Sequence, residues 1–99
     1  MDIETARAAM RRYVASLNAN DQMKVRETGY EERIEQGWVF YYNSAEYLDT
    51  GAFETQLVGQ GPTIVLDDGR ILQGGSAERP SNVIERFRKA DQLKADDTL

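Results

Sequence analysis

The sequence predicts an α+β domain, in which N- and C-terminal helices pack on a four-stranded, mainly antiparallel sheet and a short helical insert separates two hairpins. Apolar residues near both ends recur at helical spacing, two pairs of strands are each joined by turn residues, and one strand is apolar on both sides. The 99 residues suffice for one core, so we expect a single domain over 1–90 and a polar tail over 91–99.

The first element is a helix from Asp2 to about Asn18. Asp2 suits the N-cap, because its carboxylate can accept a hydrogen bond from the first turn, and the turn-forming residues "NAND" end the helix. The apolar residues recur three and four apart and form one stripe: Ile3, Ala6, Met10, Tyr13, Val14 and Leu17.

The first hairpin pairs a charged strand with an aromatic one. Met23–Ile34 has few apolar residues and contains Gly29, so we expect an edge strand with a bulge or kink at that glycine. After "EQG", the strand Trp38–Asn43 reads "WVFYYN" and does not alternate between apolar and polar residues. Both of its faces therefore need cover.

The simplest packing places both helices on one face of this sheet. The insert between Ser44 and Gly59 would then cover the second face with Tyr47, Phe53 and Leu57. Alternatively, part of that second face, with Tyr41 or Tyr47 at its rim, stays open for a partner; the sequence does not decide between these two arrangements.

Local signals predict the rest of the chain. Ser44 can cap a helical turn over Ala45–Asp49 that ends at Gly51, and a second short turn containing Phe53 and Leu57 closes at Gly59. In the second hairpin, Thr63–Leu66 and Arg70–Leu72 flank "DDG", where Asp68 and Gly69 would form a type I′ turn. Pro80 suits the first position of a final helix that buries Val83, Ile84 and Phe87.

Composition excludes several classes of protein. The net charge of −5 argues against a nucleic-acid partner, and no apolar run approaches a membrane span. The N-terminus lacks the apolar stretch of a signal peptide and the chain lacks cysteine, so we expect a cytoplasmic protein.

Acidic residues dominate the middle of the chain. No lysine or arginine lies between Arg33 and Arg70, whereas this interval holds Glu35, Glu46, Asp49, Glu54, Asp67 and Asp68. Such a run either solvates the surface or offers an acidic face to a basic partner.

Catalytic chemistry is hard to place in this sequence. Histidine and cysteine are absent, which removes the usual general base, thiol nucleophile and zinc ligands. Asp67 and Asp68 could hold a hard cation, but adjacent acids in a hairpin are more often turn residues. We therefore expect no enzyme, no cofactor and no metal site.

The middle and end of the chain resemble the immunity protein 35 family, also called YrhB-type domains, whose members are encoded beside bacterial polymorphic toxins. The resemblance rests on Gly37-Trp38 and the aromatic residues after it, Asn43-Ser44, Glu46-Tyr47-Leu48, Thr50-Gly51, Gly59-x-Gly61-Pro62, the Asp-Gly hairpin and a helix begun by proline. It implies a non-catalytic protein that binds and neutralises a cognate toxin. We expect the motif residues to maintain the fold: Gly37, Trp38, Phe40, Gly61, Pro62, Gly69 and Pro80.

Two other functions stay open. A chaperone-like or general protein-interaction module would use the same aromatic surface and net charge to bind many clients. A metal-dependent hydrolase would use Asp67, Asp68 and a third acid.

The partner site is predicted from charge and shape. Many toxins that act on nucleic acid are basic, and an acidic face would attract one. We expect the toxin to contact the insert and the second hairpin turn, with Tyr47 or Phe53 as an apolar anchor. The predicted contact residues are Glu46, Tyr47, Asp49, Phe53, Glu54, Asp67 and Asp68; the sequence does not indicate whether the protein is a monomer or a dimer.

Overall fold

A computed structural model describes residues 1–19 and 24–97, with side chains up to residue 90. It confirms the α+β class. Two residues of the predicted turn "NAND", Asn20 and Asp21, lie outside the described residues, as does Met23. The elements in chain order are α1 (Ile3–Asn18), β1 (Val25–Ile34), β2 (Gly37–Ser44), α2 (Ala45–Thr50), a 3₁₀ turn (Phe53–Thr55), β3 (Gln60–Leu66), β4 (Ile71–Gly75) and α3 (Pro80–Asp97).

The four strands form one antiparallel sheet in the order β1-β2-β3-β4, so β1 and β4 are its edges. Gly37 pairs with Leu66 across the two central strands. The pairing of β1 with β2 shifts register between Glu27 and Glu31, around Gly29 with a φ of 96°. The expected edge strand and its bulge at Gly29 are thereby confirmed.

Helix α1 covers one face of the sheet. Its predicted N-cap is confirmed, because the Thr5 backbone N–H donates to Asp2 Oδ1 at 2.8 Å. The buried cluster on this face joins the helix to the two central strands through Ala6, Ala9, Met10, Phe40 and Val65.

Helix α3 covers the opposite face, so the prediction that both helices share one face is wrong. Two apolar faces on the central strands require two covers, and the α3 stripe supplies the second one. Gly74 lets the helix approach the sheet, since a Cβ there would lie 2.6 Å from Val83 Cγ2. The second buried cluster contains Val39, Ile64, Leu66, Leu72 and Val83, and Ile84 and Phe87 pack at its edge.

The caps of the insert and the start of α3 agree with the sequence. Ser44 Oγ accepts from the Tyr47 N–H at 3.2 Å, and Gly51 ends α2 in the left-handed conformation with a φ of 72°. Helix α3 begins at Pro80, as predicted, and its backbone continues to Asp97, through most of the segment expected to be a tail.

The turn of the second hairpin differs from the predicted type I′ turn. Among the described residues only glycines have a positive φ, so Asp68 does not. The Gly69 N–H donates to Leu66 O at 2.9 Å, and the Leu66 N–H donates to Arg70 O at 2.8 Å. With Gly69 at a φ of 94°, this is a three-residue loop that needs one left-handed residue rather than two.

Two predicted motif glycines lie where backbones come very close. A Cβ on Gly37 would collide with the carbonyl oxygen of Val65 and lie 2.9 Å from Leu66 Cα. A Cβ on Gly61 would collide with the carbonyl oxygen of Gly75. These contacts set the spacing of β3 from the strands on both sides of it.

The other motif residues also hold positions inside the fold. Phe40 and Pro62 are fully buried. The Trp38 indole Nε1 donates to the Met1 carbonyl at 3.0 Å, and its ring lies under the Arg33 guanidinium. In the described part of the chain, every helix is too short or too polar to cross a membrane.

Candidate partner-binding surface

The predicted contact residues lie at opposite ends of the sheet. The insert follows Ser44 at the last residue of β2, whereas Asp67 and Asp68 lie beside the first residue, Gly37. The eight residues of β2 span about 24 Å at roughly 3.4 Å per residue. The structure therefore does not bring the insert and the second hairpin turn together into one acidic surface.

Asp67 is paired inside the molecule. Its carboxylate accepts from Arg33 Nη1 at 2.8 Å and Nη2 at 3.0 Å, and from the Met1 amine at 3.2 Å. The hydrogen bond with Arg33 is the main reason that the pKa of Asp67 falls to about 2. This carboxylate joins β1 to the second hairpin and is already occupied.

Asp68 is also paired, with a residue of its own turn. Its carboxylate accepts from the Arg70 backbone N–H at 3.0 Å and from Arg70 Nε at 2.9 Å, and the backbone bond contributes most to lowering its pKa. Among the described residues, no three acids, histidines or cysteines are grouped as a metal site would require. The two aspartates of the turn thus bind arginines of the fold.

In the insert, Asp49 is neutralised by a residue far away in sequence. Arg26 Nη2 donates to Asp49 Oδ1 at 2.8 Å, because the register of β1 places Arg26 opposite Asn43, at the start of the insert. The stretch without basic residues therefore receives two of its arginine partners, Arg26 and Arg33, from β1.

Two acids of the insert have no such partner. Glu46 and Glu54 are exposed, and within the described ranges neither makes an ion pair. In the same insert Phe53 is 81% exposed and Val58 is 84% exposed, while Tyr47 is half-buried. We call Glu46, Tyr47, Phe53, Glu54 and Val58 the insert surface.

Asn43, which the sequence analysis named only as part of the family resemblance, holds the insert in place. Its Oδ1 accepts from the Ser44 N–H at 2.7 Å and from the Leu57 N–H at 2.8 Å, so one side chain joins the two ends of the insert. Gln60 Nε2 adds bonds to the carbonyls of Tyr42 and Leu57, each at 3.2 Å. The insert is therefore hydrogen-bonded at both ends to side chains of β2 and β3.

Val58 was also missed as a surface residue. An apolar residue directly before the left-handed Gly59 was a usable signal, because such a loop position has little of its own chain to pack against.

Comparison with known proteins assigns the family. The family model for immunity protein 35 matches residues 4–90 of the 99-residue chain. The chain belongs to the immunity protein 35 family. No curated protein and no solved structure matches the chain.

The match to the immunity protein 35 family covers nearly the whole described fold. The matched span includes the four strands, the insert and most of the two long helices. Membership indicates an immunity function with a toxin as the general kind of partner, and immunity proteins of this kind are generally not enzymes.

A second group of aromatic side chains lies on the α3 face near β1. Tyr30 is 48% exposed and packs edge-on against the half-buried Tyr41, with ring centroids 5.2 Å apart. The Tyr30 hydroxyl donates to Glu32 at 3.1 Å. Tyr41, expected at the rim of an open face, is thus partly covered by an aromatic residue of the edge strand.

Proposed function

We propose that this member of the immunity protein 35 family binds a cognate bacterial toxin in the cytoplasm and neutralises it by occupying it, without chemistry of its own. The observation that carries the proposal is the family match over residues 4–90. Inhibition by occupancy needs a stable surface that stays accessible in the folded chain.

The insert surface supports this function best. Phe53 and Val58 offer apolar side chains that the fold leaves exposed, and exposed apolar anchors at the centre of a contact contribute most of its binding energy. The bonds of Asn43 keep the insert ordered before binding, which lowers the entropy lost on association.

The charges of the insert surface favour a basic toxin. Glu46 and Glu54 are not neutralised by the described chain, unlike Asp49, Asp67 and Asp68. Carboxylates at the rim of a contact attract a positively charged partner and raise its association rate. A toxin that acts on nucleic acid would have such a charge.

The test is co-expression with the toxin encoded by the neighbouring gene. We expect the cells to survive the toxin, and we expect the two purified proteins to form a complex of fixed stoichiometry. A toxin from an unrelated neighbourhood is the control. If the cells are not protected and the two proteins form no complex, the proposal is refuted. Broad suppression of the aggregation of unrelated proteins would favour the chaperone-like alternative.

A further inference from the structure

The two edges of the sheet differ in their chemistry. β1 is charged and bulged, which discourages another strand from pairing with it. β4 reads "ILQGG" and has no charged residue along its length. Since β4 has no charged side chain of its own to discourage another strand from pairing with it, residues outside β4 must do so.

The backbone groups of alternate β4 residues point away from the sheet. The bond from the Leu66 N–H to Arg70 O marks a hydrogen-bonded pair beside the turn, so Leu72, opposite Ile64, faces β3 in the same way. The alternation then directs the N–H and C=O groups of Ile71 and Gln73 outward, and the Gly75 N–H also points away from β3, where Glu78 accepts from it.

Two charged side chains cover the outward groups at one end of β4. The Gly75 N–H donates to Glu78 Oε1 at 2.7 Å. Arg86 Nη2 donates a longer hydrogen bond, at 3.5 Å, to the Gln73 carbonyl oxygen. Arg86 also donates to both carboxylate oxygens of Glu78, at 2.9 and 3.0 Å. The Glu78 N–H donates to Gly75 O at 3.0 Å, which closes the turn after β4 and positions the Glu78 side chain.

We propose that the Glu78–Arg86 pair blocks the β4 edge and so prevents a second copy of this chain from adding its own β4 strand. The occupant is a second copy because two uncharged β4 edges can pair about a two-fold axis without opposing any charge. The pair covers Gln73 and Gly75, and its removal exposes a continuous edge from Ile71 to Gly75.

The test separates this cover from an ordinary ion pair. In the exchange variant Glu78→Arg/Arg86→Glu the opposite charges persist, but arginine cannot accept from the Gly75 N–H and glutamate cannot donate to Gln73 O. Arg86→Ala removes the guanidinium alone. Arg88→Ala is the matched control, because Arg88 pairs within α3 with Glu85 at 3.8 Å.

Sedimentation velocity over a hundredfold range of concentration measures association, and amide hydrogen exchange locates it. We expect the exchange variant and Arg86→Ala to associate at concentrations at least tenfold below those needed by the wild type and Arg88→Ala. In the associated state, exchange at the Ile71 and Gln73 amides should slow by at least tenfold.

If the folded variants associate only at the concentrations that the wild type needs, the proposal is overturned. Association that protects amides outside β4 would also overturn it. Circular dichroism verifies folding. If the exchange variant does not fold, Arg86→Ala decides alone, because the Arg86 side chain is half exposed and its guanidinium lies over Phe87 at the edge of the second cluster, outside its buried centre.

Discussion

At Gly37 the backbone of β2 runs so close to the Val65 carbonyl that no side chain fits between them. Gly51 needs glycine for a different reason: its surroundings are open, but its φ of 72° is left-handed. Glycine is thus needed at position 37 because a Cβ has no space there, and at position 51 because the backbone is left-handed.

This difference predicts the effect of asparagine at the two positions. Gly37→Asn should lower the free energy of unfolding by at least about 2 kcal/mol, since strands must separate to admit a Cβ. Gly51→Asn should cost less than about 1 kcal/mol, because asparagine tolerates the left-handed conformation. Urea unfolding of both variants measures this, and equal losses would contradict the explanation.

The lowered pKa of Asp67 predicts that the stability of the protein depends on pH. Its pKa in the folded protein, about 2, lies below the ordinary 3.8, so its stabilising effect is complete above pH 3.8 and is lost as the pH falls towards 2. Asp67→Asn should therefore be less stable than the wild type at pH 6, and the difference should vanish near pH 2. Glu54→Gln, without an ion pair among the described residues, is the control; a difference independent of pH would contradict the assignment to Asp67.

At the scale of elements, local signals predicted most boundaries. The caps at Asp2 and Ser44, the bulge at Gly29 and the start of α3 at Pro80 depend on neighbours in sequence, and each is found. The face that α3 covers was not predictable from its stripe, because Val83, Ile84 and Phe87 would fit either apolar face. Two apolar faces on one strand were the signal for two separate covers.

The insert shows the same limit for the candidate site. Phe53 was predicted both to cover the second sheet face and to anchor a partner, and because it is exposed the first prediction is wrong. Asp49 is neutralised by Arg26, a pairing that only the register of β1 creates. The ion pairs of Asp49 and Asp67 could not be predicted from local sequence, because each joins residues more than twenty positions apart.

The two hydrogen bonds accepted by Asn43 should stabilise the attachment of the insert to β2. Asn43→Ala removes the acceptor shared by the Ser44 and Leu57 N–H groups and should cost about 1–2 kcal/mol of stability. Exchange at the Leu57 amide should become faster. Asn43→Asp retains both acceptors and should preserve the slow exchange; equal effects of both variants would show that the shared acceptor is not what attaches the insert.

At the scale of the whole molecule, the acidic charge is distributed unevenly after folding. Arg26, Arg33 and Arg70 neutralise acids of the middle segment, and Glu46 and Glu54 are left unpaired at the insert end of the described chain. A basic toxin should therefore approach that end first.

Charge reversal tests this direction of approach. Glu46→Lys/Glu54→Lys should slow association with the neighbouring toxin about tenfold at low salt and flatten its salt dependence. Glu35→Lys/Asp68→Lys changes the net charge equally at the opposite end and should slow association less. Equal rates for the two variants in stopped-flow mixing would contradict a local role of the insert acids.

The affinity of the toxin for Phe53→Ala/Val58→Ala tests the central claim most directly. Both side chains are exposed, at 81% and 84%, so their removal should leave the unfolding free energy unchanged. Tyr30→Ala, which shortens an exposed aromatic residue of β1, is the control. We predict that isothermal titration with the toxin of the neighbouring gene will show at least a tenfold higher Kd for the double variant and a wild-type Kd for Tyr30→Ala. A wild-type Kd for the double variant would contradict binding through the insert surface.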